Sequence, residues 1–165
     1  MERFASDLHH RSQILRNYAE GIKEACARTH GRATFLHCNT VNESVLVALS
    51  DIRTVLHHPP GHDTFTLGSS PFILGFYAGE AEPVPLHSFI HEPCGLFAHP
   101  NSDGFGICLG EAMPLYIPAE TLLLHAYRIL TYQKFNLKSA VNAEIVRFVL
   151  EQPPETFPTD PRPLF

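Results

Sequence analysis

His99-Pro100-Asn101 and Cys108 are the residues whose types and spacing are best suited to chemistry. Six residues separate the asparagine from the cysteine; Gly104 and Gly106 lie among them and Gly110 follows, which predicts irregular, open backbone around the thiol. A thiolate is a soft nucleophile that takes an acyl group and releases it to an amine. The Asn101 carboxamide can donate to an oxyanion as it forms, or hold the loop through hydrogen bonds to backbone; both roles are open. His99, beside Pro100, reads as a structural corner residue acting through its ring nitrogens. The plain alternative for Cys108 is a buried structural cysteine, a common state of this residue. An attacking lysine is mostly protonated near neutrality, with a pKa of about 10.4. Asp103 or Glu111 could take its proton, or simply be exposed loop carboxylates.

The flanks add to the motif. Downstream, Tyr116-Ile117-Pro118-Ala119-Glu120 reads as an aromatic-x-Pro entry into a helix, and Val141-Asn142-Ala143-Glu144 as an Asn-x-Glu start of another. With the His-Pro-Asn corner and downstream cysteine, these stretches resemble the ubiquitin-conjugating enzymes, specifically from about Leu96 to Phe148. The spacing from Asn101 to Cys108 is one residue shorter than is usual there. The run from Pro83-Val84-Pro85 to His99 is longer, which looks more like the divergent members of bacterial ubiquitin-like operons. The resemblance implies an α+β, UBC-like fold: an N-terminal helix, an antiparallel four-stranded meander, an active-site loop and two C-terminal helices. It implies that Cys108 carries a ubiquitin-like modifier as a thioester, received from an activating enzyme and passed to an amine on a protein substrate. The catalytic set is then Cys108 and Asn101, with His99 and Pro100 structural, because the family does not use this histidine as a base. No cofactor is implied; a role in antiviral defence is suggested only by the operon resemblance.

The elements that must position these residues are read from periodicity. Ser6 or Asp7 is placed to cap a helix running to about Thr29, with Leu15, Tyr18, Ala19, Ile22, Ala25 and Cys26 on its buried face and Gly31 at its stop. Ala33 to Asn39 predicts a strand, followed by a turn near Asn39–Asn42. Val45 to Leu49 predicts a buried strand, although Leu46, Leu49, Ile52 and Leu56 would equally suit one face of a helix. Phe72 to Tyr77 and Leu86 to Ile90 predict two more strands, with a bend at Pro83-Val84-Pro85 between them. Pro118 suits the first turn of a helix buried through Leu122, Ala126, Ile129 and Leu130. Val141 to Leu150 predicts a last helix with Ile145, Phe148 and Val149 inward. Residues 1–152 are therefore expected to form one catalytic domain. Residues 153–165, rich in proline, are expected to be an extended tail, loose or laid across the domain. It should add little to the core beyond anchoring by Phe157 or Phe165.

Composition excludes several classes. The 165 residues are 44% hydrophobic and 18% charged, which suits a folded domain rather than a disordered chain. A net charge of −5 without a basic cluster gives no nucleic-acid footprint. No apolar run approaches the roughly 18 residues of a membrane span, and Met1 to Asp7 lacks a signal-peptide core, so a cytoplasmic, membrane-free protein is expected. Cys26, Cys38, Cys94 and Cys108 contain no Cys-x-x-Cys pair. His87, His91, Cys94 and His99 offer donors for zinc, and His57, His58 and His62 form a second group, but neither spacing matches a zinc signature. Two other classes thus stand beside the enzyme: an inactive ubiquitin-conjugating-like binding or scaffold domain, and a small zinc-binding protein.

Overall fold

A computed structural model describes residues 2–57, 64–78, 85–92, 97–103, 105–107, 117–138 and 140–165, with backbone alone for 2–8 and 85–88. The chain is α+β, and among the described residues it has three α-helices and one five-stranded antiparallel sheet. Helix α1 (Glu2–Ala27) buries all six residues of the predicted stripe, from Leu15 to Cys26. It begins ahead of Ser6 and Asp7, so neither is its cap. His30 (φ 53°) and Gly31 (φ 83°) turn the chain out of the helix through left-handed backbone, open to glycine at no steric cost. The Thr29 hydroxyl seals this exit by donating to the Cys26 carbonyl and accepting from the Ala33 N–H.

The strands β1 (Ala33–Asn39), β2 (Ser44–His57), β3 (Phe65–Ala78), β4 (Pro85–Glu92) and β5 (Gly106–Ile107) lie side by side in chain order. The meander thus has five strands rather than four, the last being a two-residue piece of the loop between Asn101 and Cys108. The stretch from Val45 to Leu56 is strand throughout. Its helix-like spacing has a physical cause: Val45, Val47 and Leu49 alternate inward, and then a bulge at Ser50-Asp51 shifts the phase so that Ile52 is buried again. Asp51 takes the left-handed backbone of the bulge (φ 51°). Pro71, which has no N–H to give a ladder, sits across from it, between the pairs Leu49–Phe72 and Ile52–Ser70. β3 begins seven residues before the predicted Phe72, because Gly68-Ser69-Ser70-Pro71 imitates a turn in sequence.

Val45–Phe76, Val47–Leu74 and Leu49–Phe72 are cross-strand pairs on the inner face, and Leu74 continues the row to Ile90. They form the core with α1 and with α2 (Ala119–Leu130), whose Leu122, Ala126, Ile129 and Leu130 are buried as the spacing predicts. The two helices approach closely where a Cβ on Gly21 would stand 3.0 Å from that of Ala119. Helix α3 (Ala143–Glu151) is capped by Asn142, whose side-chain oxygen accepts from the Glu144 and Ile145 N–H groups, and it turns Ile145 and Val149 inward. No helix among the described residues is long and apolar enough to cross a membrane.

Of the two courses open to the tail in sequence it takes the one laid across the domain, with Phe157 and Phe165 packed against the core, but it is buried further than expected. It makes one 3₁₀ turn (Pro154–Thr156) and then runs along the domain, placing Leu164 in the core and burying Thr159 and Asp160. Thr159 donates its hydroxyl to the Arg53 carbonyl and its N–H to the Thr131 carbonyl. Asp160 pairs with Arg32 at 3.2 Å and Arg162 at 2.7 Å. Burial opposes its charge, but hydrogen bonds from Arg162 and the two guanidinium charges outweigh this and hold the carboxyl below its ordinary value. A depressed folded-state pKa gives stability that is complete above the unfolded value of about 3.9 and is lost as pH falls through the lower folded value. Asp160→Asn is therefore expected to cost about 1–3 kcal/mol near neutrality and to flatten the acid limb of a denaturation series. An acid limb identical to that of the native chain would remove Asp160 from this role.

Candidate active site

The His-Pro-Asn corner is built from the inside outward. Phe97 bridges to Leu56 at the end of β2, and the Ala98 N–H donates to the Val55 carbonyl, which fixes where the corner leaves the sheet. His99 is fully buried, stacked on Phe97 at 5.7 Å and edge-on to Tyr132 at 4.6 Å. Its Nδ1 accepts the Asn101 N–H at 3.0 Å, which sets the neutral tautomer with the proton on Nε2. Burial pushes its pKa down to about 3, offset in part by the Lys134 backbone. The ring stays neutral and inside the protein.

Pro100 closes the corner: its carbonyl accepts the Val141 N–H at 2.8 Å, tying the turn to the start of α3. Asn101 is buried, and its carboxamide makes a two-way pair with the backbone of Asn136. The side-chain oxygen accepts the Asn136 N–H at 2.7 Å, and Nδ2 donates to the Asn136 carbonyl at 3.0 Å. Of the two roles open to Asn101 in sequence, the loop-holding one is thus directly visible.

Beyond Asn101, Ser102 donates its hydroxyl to the Gly106 carbonyl at 2.6 Å, and the Ser102–Ile107 bridge folds the loop back on itself. Asp103 accepts from the Phe105 and Gly106 N–H groups, which hold its carboxyl below the ordinary range. It is an exposed turn-former and a poor proton acceptor. β5 then carries the chain along β4 as far as Ile107. Cys108, Gly104, Gly110, Glu111 and Tyr116 lie outside the described residues.

Neither histidine group comes together as a metal site among the described residues, where no three His, Cys, Asp or Glu side chains stand close enough to hold an ion. His91 lies exposed on the outer face of β4, hydrogen-bonded and stacked to Tyr77, whereas His99 is buried. His57 stacks against Phe65; Cys94, His58 and His62 fall outside the described residues.

Two residues of the corner carry no signal in sequence. Asn136 meets Asn101 through its backbone alone, its own side-chain oxygen accepting the Lys138 N–H instead. Tyr132 stands just past α2 in left-handed backbone (φ 57°), fully buried, donating its hydroxyl to the Ala98 carbonyl. An aromatic residue in that conformation is costly, and here hydrogen bonding and ring packing hold it. No protein-family model, curated protein or solved structure matches the chain.

Proposed function

We propose that the chain is a ubiquitin-conjugating-type acyl carrier with a UBC-like fold. Cys108 attacks the thioester between an activating enzyme and the C-terminal carbonyl of a ubiquitin-like modifier. A new carbon–sulfur bond forms as the old one breaks, and the activating enzyme's thiolate leaves. An amine of a protein substrate then attacks the same carbonyl, loses a proton, and releases the Cys108 thiolate. One thioester replaces another in the first step, so it is nearly thermoneutral; the second forms the more stable amide.

The observation that carries the reading is the corner itself. Three consecutive residues are each locked by a separate contact, and the following turn leads through β5 directly to Cys108 in sequence. Such fixed backbone suits a site that must hold an acyl carbonyl against a nucleophile. A place in bacterial antiviral conjugation is part of this proposal and rests on resemblance alone.

The test is to mix the protein with an activating enzyme, its modifier and ATP. An adduct that a thiol reductant removes supports the reading; no adduct with any activating-enzyme and modifier pair encoded beside the gene would sink it. Asn101→Ala is expected to charge but to discharge to free lysine more slowly, by up to about 10²–10³ if its amide also meets the oxyanion. Equal decay of the two adducts, followed after ATP is quenched, would leave Asn101 with its loop-holding role only.

A further inference from the structure

The aromatic rings around the corner form a continuous stack that ends in the tail. Phe72 meets Phe97 edge-on at 5.8 Å, Phe97 stacks on His99, and His99 meets Tyr132. Tyr132 is then covered by Phe157, stacked at 4.9 Å and 26°, with Phe135 edging both. Among the described ring contacts, Phe157 is the member contributed by residues 153–165. It lies two residues before Thr159, whose N–H and hydroxyl both bond the carbonyl of Thr131, the residue preceding Tyr132.

His99 needs that support. Its Nδ1 is fixed by the Asn101 N–H, while Nε2 meets the Lys134 backbone only outside good hydrogen-bond geometry, so the rings on either side also set the tilt of the imidazole. One of those rings is Tyr132, which also holds the Ala98 carbonyl just ahead of the motif. Tyr132 sits in left-handed backbone that an aromatic residue rarely adopts, and the Phe157 ring stacked on its far face is one of the contacts that keep it there.

We infer that the tail is a positioning element for the candidate site, with Phe157 acting through Tyr132 and His99 to hold Asn101 in its clamp on Asn136. This rests on the proposed conjugating activity for its functional consequence, but not for its structural one. Phe157 touches no reacting atom; it is a positioning residue. Loosening it tilts His99, lengthens the Asn101 N–H···Nδ1 bond, and lets the corner drift from Asn136. Misplacement of a reactive geometry by about 1 Å can cost up to ~10²-fold in rate, and a stack loosened at one remove is expected to cost about tenfold.

The experiment compares Phe157→Leu, Phe157→Tyr and Leu164→Ala with the native chain. Leu164 is a buried tail residue outside the ring stack, so its variant reports loss of stability alone. In the uncharged protein, the ¹⁵N shifts of the His99 imidazole are expected to move in Phe157→Leu and to stay native in the other two. In thioester discharge to lysine, Phe157→Leu is expected to be about tenfold slow at saturating lysine, Phe157→Tyr near native, and Leu164→Ala native at a temperature where it remains folded. Native discharge in Phe157→Leu overturns the inference. So does slowing of Phe157→Leu and Leu164→Ala in proportion to their melting temperatures. If the native chain forms no thioester, the conjugating reading fails and the imidazole shifts alone decide: movement confined to Phe157→Leu supports positioning, and native shifts reject it.

Discussion

Deleting residues 153–165 is expected to cost most of the protein's stability rather than trim a loose end. The deletion strips Leu164 from the core and Phe157 from Tyr132, and each lost side chain of this size is worth about 2–5 kcal/mol when buried. It also leaves charge without its partner. Arg32, largely buried, loses Asp160 and the Pro163 carbonyl together, while Tyr127 loses the Arg162 carbonyl. Breaking a partly desolvated pair from one side is more damaging than never having made it. The sum, on the order of 5 kcal/mol or more, is comparable to the entire stability of an ordinary domain, about 5–15 kcal/mol. Circular dichroism and urea denaturation of the truncated chain are the check. A cooperative transition at the native midpoint would show that these contacts carry little weight.

Cys108→Ala is expected to abolish the reductant-sensitive adduct completely, with Cys26, Cys38 and Cys94 each replaceable. The described thiols explain part of the selectivity. Cys26 is in the core, and burial pushes its pKa up to about 11 despite a backbone hydrogen bond acting the other way, so only ~10⁻⁴ of it is thiolate near neutrality. Cys38 is half-buried, and burial raises its pKa against the pull of Arg16. Neither has the electropositive, accessible setting of a reactive cysteine. Cys108→Ser is expected to give a slower-forming ester that survives thiols and yields to base. An adduct persisting in Cys108→Ala would place the chemistry elsewhere and end the assignment.

Local patterns of the fold are legible in the sequence, and distant ones are not. The stripe from Leu15 to Cys26 and the inward set of α2 each depend on neighbours within a few turns, and each is read correctly from spacing. The bulge at Asp51 makes a strand imitate helical spacing, because the inserted residue turns an interval of two into three. β5 has only two residues and therefore no period. The tail misleads for another reason: proline content reports backbone conformation correctly but says nothing of burial, and the partners of Thr159 and Asp160 are remote in sequence. In the candidate site, the corner is legible as a motif. The clamp on Asn136 is not, since any residue there presents the same N–H and carbonyl.

The length of these connections has a consequence for how the protein is made. Arg32 reaches a carbonyl 131 residues downstream, and Thr159 one 106 residues upstream. Contacts of such separation close very long loops, and loop closure must precede any reward from the contact. During synthesis the helix and meander emerge first, while the segment that covers Tyr132 and neutralises Arg32 emerges well after them. Until then the nascent domain exposes the aromatic rings it will later hide, a state vulnerable to aggregation and proteolysis. Native structure at the His-Pro-Asn corner is therefore a late event of folding, and premature termination near Gln152 yields a substrate for quality control rather than a shorter folded domain.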